Sequence, residues 1–457
     1  VGAGVAGIRP PFGEADAPKT RPSPWRGAAR LLSGDVARQG YLSGVDQAII
    51  SLSNFLASIV LARALTPTQF GAYGVGFLLL HLGRAFQEGL IVQPMSALGP
   101  SLPQAERRVY LSGSALLQIG LAVLGAAACA GMGWILIDLG NTVAGPTLFA
   151  LWFPVLFAQL QEFLRRVFYT QGQVGHAVFN TVVSNTVRLA VTVWFLSAGG
   201  VSGTAGLYAI GWGGIAGAIV GLMATRRLWV RRGVAPIGTW RRNWAFGRWV
   251  LGSTAANWVA VEVYPILTAG LVSFAATGIY RALQNVVAPV HSLLRAMDTY
   301  FTPRLADRRR IAGTPGVAHM VGRMFLVTGP LVAAILILSV QFAEPLLRLL
   351  YGETYVAYAS GMRWMALFYA LWYAFWPIQS ALKAVEQTRP IFLASMAATL
   401  AMFTVGGWMI LQWGVYGTIA GQALSAAILA IVLWATWLRW LQAHRAEMES
   451  AAVALPG

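Results

Sequence analysis

Arg281, Gln284, His291, Arg295 and Asp298 follow one another at steps of 3, 7, 4 and 3 residues inside one apolar stretch. Those steps stack side chains on one face of an α-helix, and Ala288 completes the stripe. His81, Arg84 and Glu88 repeat the arrangement in a second stretch. A third carries Gln47, Ser51, Asn54 and Ser58 on one face, with Asp46 near its end. Asn257 and Glu262 share a fourth, and Arg188 lies near the middle of a fifth. A charge at bilayer depth costs at least ~2.5–3.5 kcal/mol on insertion scales, so each needs a cavity or a partner. Arginine presents a planar fork of donors that matches phosphate oxygens. The expected chemistry is therefore anion binding in a cationic cavity. Its candidate ligands are Arg84, Arg188, Arg281 and Arg295, with His291, Gln284, Asn54 and Asn257 as hydrogen-bonding neighbours. Asp46, Glu88, Glu262 and Asp298 are the candidates for proton or sodium coupling. A blander reading makes Arg84–Glu88 and Arg295–Asp298 ion pairs that only fix helix packing. A packing contact needs one pair, not a polar ladder, so the ladders favour a cavity.

The elements that must position these residues are twelve apolar stretches. They run over 41–63, 70–93, 109–137, 144–164, 175–198, 203–225, 248–271, 277–301, 317–343, 357–380, 391–411 and 414–438. Spans of ~20 apolar residues suit a hydrocarbon core of roughly 30 Å, and period-two alternation, the mark of barrel strands, is missing. With 57% hydrophobic and only 11% charged residues, the chain cannot cover a soluble surface. The 50 glycines allow close helix approach, and the 18 tryptophans favour membrane interfaces. The fold class expected is an all-α integral membrane protein with twelve transmembrane helices.

A net charge of +17 would also suit a nucleic-acid binder, but its placement argues otherwise. Arg107-Arg108, Arg165-Arg166, the linker arginines 226, 227, 231, 232, 241, 242 and 248, then Arg304 with Arg308 to Arg310, then Lys383 and Arg389, occupy every second gap. The loops near 139–143, 199–202, 272–276 and 412–413 hold no Lys or Arg. This is positive-inside loading, and it puts both termini in the cytoplasm with no nucleic-acid partner. Arg63, Arg348 and Arg363 sit at the opposite span ends, where long side chains snorkel.

The domain reading is a cytoplasmic tail over 1–40, with an interfacial helix at 25–38; a first lobe over 41–225; a basic cytoplasmic linker over 226–247; a second lobe over 248–440; and a cytoplasmic tail over 441–457. The halves repeat. Phe70-Gly71-Ala72-Tyr73 opens span 2 and Thr277-Gly278-Ile279-Tyr280 opens span 8, an offset of 207 that also pairs Arg84 with His291 and Glu88 with Arg295. Six spans per half give parallel repeats about the membrane normal, and transporters built this way bind substrate between the halves.

The single cysteine, Cys129, allows no intrachain disulfide. No zinc-type cluster, phosphate loop or sizeable soluble segment is present, so neither an enzyme nor a bound metal or cofactor is expected. The run Glu162-x-x-Arg165-Arg166-x-x-Tyr169 ends span 4, where topology alone accounts for arginine.

Several ordered pieces carry a family resemblance. They are Asn54-Phe55-Leu56 through Leu61-Ala62-Arg63; Phe70-Gly71-Ala72-Tyr73; Glu162-Phe163-Leu164-Arg165-Arg166; Gly278-Ile279-Tyr280; Pro303-Arg304-Leu305; and Leu350-Tyr351-Gly352-Glu353-Thr354-Tyr355. Over about residues 35–440 the chain resembles the polysaccharide transporter branch of the MOP flippase superfamily, the Wzx-type flippases. The resemblance implies two six-helix lobes in a MATE-like V, with spans 1, 2, 7 and 8 lining a central cavity. It implies a lipid-linked oligosaccharide as substrate, joined through diphosphate to a polyprenyl lipid and flipped to the outer leaflet of the cell inner membrane for export of a surface polysaccharide. The partners expected are this lipid, the bilayer, and polysaccharide polymerase or assembly proteins, around a monomer. Three rivals stand beside it: a multidrug antiporter of the same superfamily, which usually favours acidic cavity residues; a peptidoglycan-precursor flippase, which usually has fourteen spans rather than twelve; and a non-transporting scaffold, which has no need of buried arginines.

Overall fold

The computed structural model describes residues 35–200, 202–230 and 232–445, without the side chains of 35–37, 249, 253–258, 260–261, 295–296, 298–300, 302–303 and 306. Residues 1–34 and 446–457 of the two terminal tails, and with them nearly all of the interfacial helix expected at 25–38, lie outside the described residues; 35–40 and 441–443 continue the helices of spans 1 and 12. Every regular element among the described residues is helical.

All twelve expected spans fall on helix. Spans 1 to 6 are Asp35–Ala64, Pro67–Leu98, Gln104–Asp138, Ala144–Thr170, Val174–Ser197 and Gly203–Thr225. Span 7 is Pro236–Leu271, so half of the basic linker is already helical. Span 8 begins as Phe274–Val286 and continues in Ala288–Gln341, which bends at Ala312 and Gly313 to become span 9. Gly313 sits at φ 58°, a region that glycine enters without a Cβ penalty. Two short helices, Ala343–Tyr351 and Glu353–Val356, then lead to span 10, Gly361–Ala384. Spans 11 and 12 run from Thr388 to Ala443 and turn at Gly414, φ 54°. Seven helical segments among the described residues are long and apolar enough on their own to cross a membrane, one of them holding spans 11 and 12 together. Spans 5 and 10 fall short because polar side chains dilute them.

Local chemistry explains the repeats' matching starts. Thr66 caps span 2 by accepting from the Gln69 amide, and Ser273 caps span 8 by accepting from the Ala276 amide. Thr66 and Ser273 stand at the same 207-residue offset. Within the first lobe, span 6 packs its glycines on its neighbours. A methyl on Gly214 would lie 2.6 Å from the Ala158 amide of span 4, and one on Gly213 would lie 2.5 Å from the Ser184 carbonyl of span 5. In lipid, where apolar faces gain nothing by meeting, this close fit holds helices together. Spans 3 and 9 turn large apolar side chains outward, among them Leu124 and Leu326, the face a hydrocarbon core accepts. The protein is thus a multi-pass membrane protein. Its inter-lobe seam is built from spans 2 and 8 at one end and spans 2, 3 and 7 at the other.

Candidate functional site

The end of the bundle away from the arginine-rich gaps is sealed by residues from both lobes. A methyl on Gly71 would lie 1.7 Å from the Phe274 carbonyl oxygen, and one on Gly278 would lie 2.2 Å from the Pro67 carbonyl oxygen. Spans 2 and 8 therefore touch main chain to main chain. Asn285 of span 8 donates to the Ser58 hydroxyl of span 1 at 2.6 Å. The short helix Ala343–Tyr351 belongs to the second lobe, yet Arg63 of span 1 caps its last turn. The guanidinium donates to the carbonyls of Leu349 and, at 3.2 Å, Leu350. A cation there suits the free carbonyls and negative dipole end of a helix. Tyr355 meets Phe70 edge to face at 6.4 Å. Burial pushes the Tyr351 and Tyr355 hydroxyls above the ordinary phenol range. Arg63 is therefore not a snorkelling end residue: it holds a helix from the opposite lobe.

At the arginine-rich end the first lobe holds a charge network, buried at Asp46 and Arg165 and partly exposed at Arg166 and Glu88. Arg165 pairs with Asp46 of span 1 and clasps Glu162 through two bonds, 2.9 Å and 2.6 Å. Arg166 donates to Glu162 at 2.8 Å and lies 3.7 Å from Glu88 of span 2. Tyr169 donates to Asp46 at 2.7 Å, and Gln93 donates to Glu88 at 2.8 Å. The last contact depends on a π-helical turn over Glu88–Val92, since a wider turn brings residues five apart onto one side. Asp46 and Glu88, candidates for ion coupling, already hold arginines here.

The Arg84–Glu88 pair is not formed. Glu88 turns instead to Arg166, and Arg84 makes no hydrogen bond or ion pair within 4 Å among the described residues. Its Nε is buried without a partner, and the guanidinium lies within electrostatic reach of Glu162, Arg165, Arg166 and Arg188. The helical repeat aims Arg84 between two faces of span 2: one places Gly74 against Arg281 of span 8, the other Gly83 against Gln159 of span 4. Arg188 and Asn54 do come together: Arg188 donates to Asn54 at 2.6 Å and to Tyr73 at 3.0 Å, over the Phe77 ring. These bonds tie spans 1, 2 and 5.

The second lobe carries a directed polar chain. Arg281 donates to Gln284 at 3.2 Å, Gln284 to Tyr280 at 3.0 Å, and Tyr280 to Gln422 of span 12 at 2.8 Å. The Nε and Nη2 of Arg281 are buried without partners. Glu262 lies within electrostatic reach of Tyr280 and Tyr369. His291 packs edge-on to Trp372 at 5.0 Å, beside a recess of about 380 Å³, counting its open mouth, lined by Tyr264, Phe368, Trp372, Phe375 and Gln422. The side chains of Asn257, Arg295 and Asp298, and with them the Arg295–Asp298 pairing, lie outside the described residues.

The two flanks of this end differ. Between spans 2 and 7 a methyl on Gly247 would lie 2.3 Å from the Gly89 carbonyl, and Tyr110 donates to Asn243 at 2.8 Å. On the flank of spans 1 and 8, Gly40, the repeat counterpart of Gly247, has nothing among the described residues within 4 Å of where a Cβ would stand.

A family model described as polysaccharide biosynthesis protein matches residues 60–360. The chain belongs to that family. Among curated proteins, none matches the sequence. Among solved structures, this member of the polysaccharide biosynthesis family is similar to an inward-facing multidrug resistance MATE family transporter of the MOP superfamily. The TM-score is 0.67 at 15% identity, over 86% of this chain and 95% of the other. The lipid II flippase MurJ, in an inward closed conformation, gives 0.67 at 14% identity, over 87% of each chain. A MOP superfamily transporter from Pyrococcus furiosus gives 0.63 at 14%, over 91% of this chain and 98% of the other. At such identity the likeness establishes the MOP fold: two parallel six-helix lobes.

The polysaccharide biosynthesis family's stretch 60–360 contains both halves of the Arg63 clasp and the whole Glu162–Arg166 run. Sequence reasoning set that run aside as topological. The signal that could have promoted it was Glu162 itself, an acid placed three and four residues before two arginines.

Proposed function

We propose that the protein is a flippase. Its substrate is an oligosaccharide linked through diphosphate to a polyprenyl lipid, carried from the inner to the outer leaflet of the cytoplasmic membrane for export of a surface polysaccharide. The two lobes alternate access to a cleft between them. On this reading the arginine-rich end, both termini and the 226–248 linker face the cytoplasm, and the glycine seam with the Arg63 clasp closes the outer side.

The observation that carries the reading is Arg84. A guanidinium with a buried, unbonded Nε, turned inward at bilayer depth, is costly unless an anion completes it. A diphosphate does so with charge-assisted, paired bonds. Arg281, with two unbonded nitrogens on the facing span, offers a second contact further along the path. Arg188 serves by holding spans 1, 2 and 5 in register around them. On this reading the lipid tail stays in the bilayer on the flank of spans 1 and 8, where Gly40 meets nothing among the described residues, while the head group enters. Among the acidic candidates, Asp46 and Glu88 would have to give up an arginine before taking a cation. Glu262 and Asp298 remain for proton or sodium coupling, and Glu262, within electrostatic reach of Tyr280 and Tyr369, is the one we put first.

The test is a chromosomal deletion. Surface polysaccharide should disappear, and lipid-linked repeat units should accumulate on the cytoplasmic leaflet. A mutant with normal polysaccharide and new sensitivity to cationic dyes would point to a drug antiporter instead. Loss of polysaccharide without stranded lipid-linked units would point to a scaffold.

A further inference from the structure

Free arginines are rare beside carboxylates, and Arg84 has three within its lobe. Glu88 stands one turn along the same helix, the position from which a carboxylate ordinarily pairs with an arginine. Glu162 lies within electrostatic reach. Asp46 completes the network through Arg165. Each already holds a partner, and only Asp46 keeps an oxygen, Oδ1, without one. Glu162 spends one oxygen on both Arg165, at 2.6 Å, and Arg166, at 2.8 Å, and its other oxygen on Arg165 at 2.9 Å. Glu88 gives one oxygen to Gln93 at 2.8 Å and faces Arg166 at 3.7 Å with the other. Asp46 holds Arg165 and Tyr169 through the same oxygen. The π turn that opens at Glu88 makes the Gln93 contact possible and so helps draw Glu88 aside.

Resting on the anion-site reading above, we infer that Arg166 is a positioning residue: with Gln93 it sequesters Glu88, and with Arg165 it saturates Glu162, which leaves Arg84 free for a phosphate. Arg166 need not touch the substrate. It acts by occupying the carboxylates that would otherwise neutralise the site. The run at the end of span 4 then does more than orient the chain in the membrane. It sets whether a cavity arginine on span 2 is left free to take an anion.

The experiment uses the full chain in lipid nanodiscs, with polyprenyl diphosphate as probe and the uncharged polyprenol as control. Arg166→Gln should weaken diphosphate binding by about tenfold, the size of one charge-assisted hydrogen bond. Adding Glu88→Gln should restore it to within about threefold, since a neutral amide no longer captures Arg84. In an Arg84→Ala background, Arg166→Gln should change affinity by less than about twofold. Polyprenol binding should be unchanged throughout. Failure of Glu88→Gln to rescue, or a full Arg166 effect without Arg84, overturns the inference and makes Arg166 a ligand or a packing residue. Should Arg166→Gln not fold, Gln93→Ala replaces it: a loss reversed by Glu88→Gln supports the inference, and no loss overturns it. If Arg84→Ala binds diphosphate as tightly as the parent, the anion-site reading fails first and takes this inference with it. If Arg84→Ala weakens binding and Arg166→Gln does not, only the inference fails.

Discussion

Gly71 and Gly278 meet across the inter-lobe seam, each pressed on the main chain of the other's helix. A methyl on Gly71 would fall 2.9 Å from the Gly278 amide nitrogen, and one on Gly278 would fall 3.0 Å from that of Gly71. Their further contacts, Phe274 and Pro67, are themselves related by the 207-residue repeat. The pseudo-twofold axis therefore passes between the two glycines.

Gly71→Ala should prise this seam apart. Overpacking of this kind costs about 1–3 kcal/mol, and backbone cannot swing aside as a side chain does. With Cys129→Ser as the background, a cysteine at Ser58 should label with an impermeant maleimide about tenfold or more faster in Gly71→Ala than in the parent, as such a cost implies. Equal labelling would mean the glycines are not what holds the seam shut.

Arg84→Ala should abolish most transport while the protein still inserts, because an uncompensated anion contact is lost. Arg84→Lys keeps the charge but not the fork, and should retain part of the activity. Export of surface polysaccharide in the complemented deletion strain reads both. The combined Arg84→Gln and Glu88→Gln variant, if it transports normally, rules out a phosphate role.

The Arg63 clasp should act as a latch. Arg63→Ala removes bonds to the last carbonyls of Ala343–Tyr351, worth about 1–2 kcal/mol at a helix C-terminus. A cysteine at Tyr355 should then become accessible from outside, and the Arg63→Lys variant should fall between. Unchanged accessibility in Arg63→Ala would show that Phe70–Tyr355 packing suffices.

Glu262→Gln should leave diphosphate binding intact and remove the dependence of transport on an imposed ion gradient. Transport that still follows the gradient would move the coupling role elsewhere.

Reporter fusions at residues 140 and 200 should read external, and those at 235 and 440 cytoplasmic. A cytoplasmic signal at 200 would reject the orientation proposed above.

The sequence alone determined the spans, the repeat and the family. Each rests on one-dimensional pattern: apolar length against bilayer thickness, arginine placement against the positive-inside rule, and short motifs in fixed order. It also grouped polar residue types on shared helix faces, because helical periodicity is local. Partnership is not local. Glu88 sits where an ion pair with Arg84 is the natural expectation, yet a π turn and an arginine 78 residues away draw it off. Arg63 reads as a span-end charge until a helix 280 residues further along the chain brings its carbonyls within reach. Arg188 reads as a free cation until Asn54 and Tyr73 close on it. Which charges are spent and which remain available depends on distances between helices, and only tertiary packing sets those.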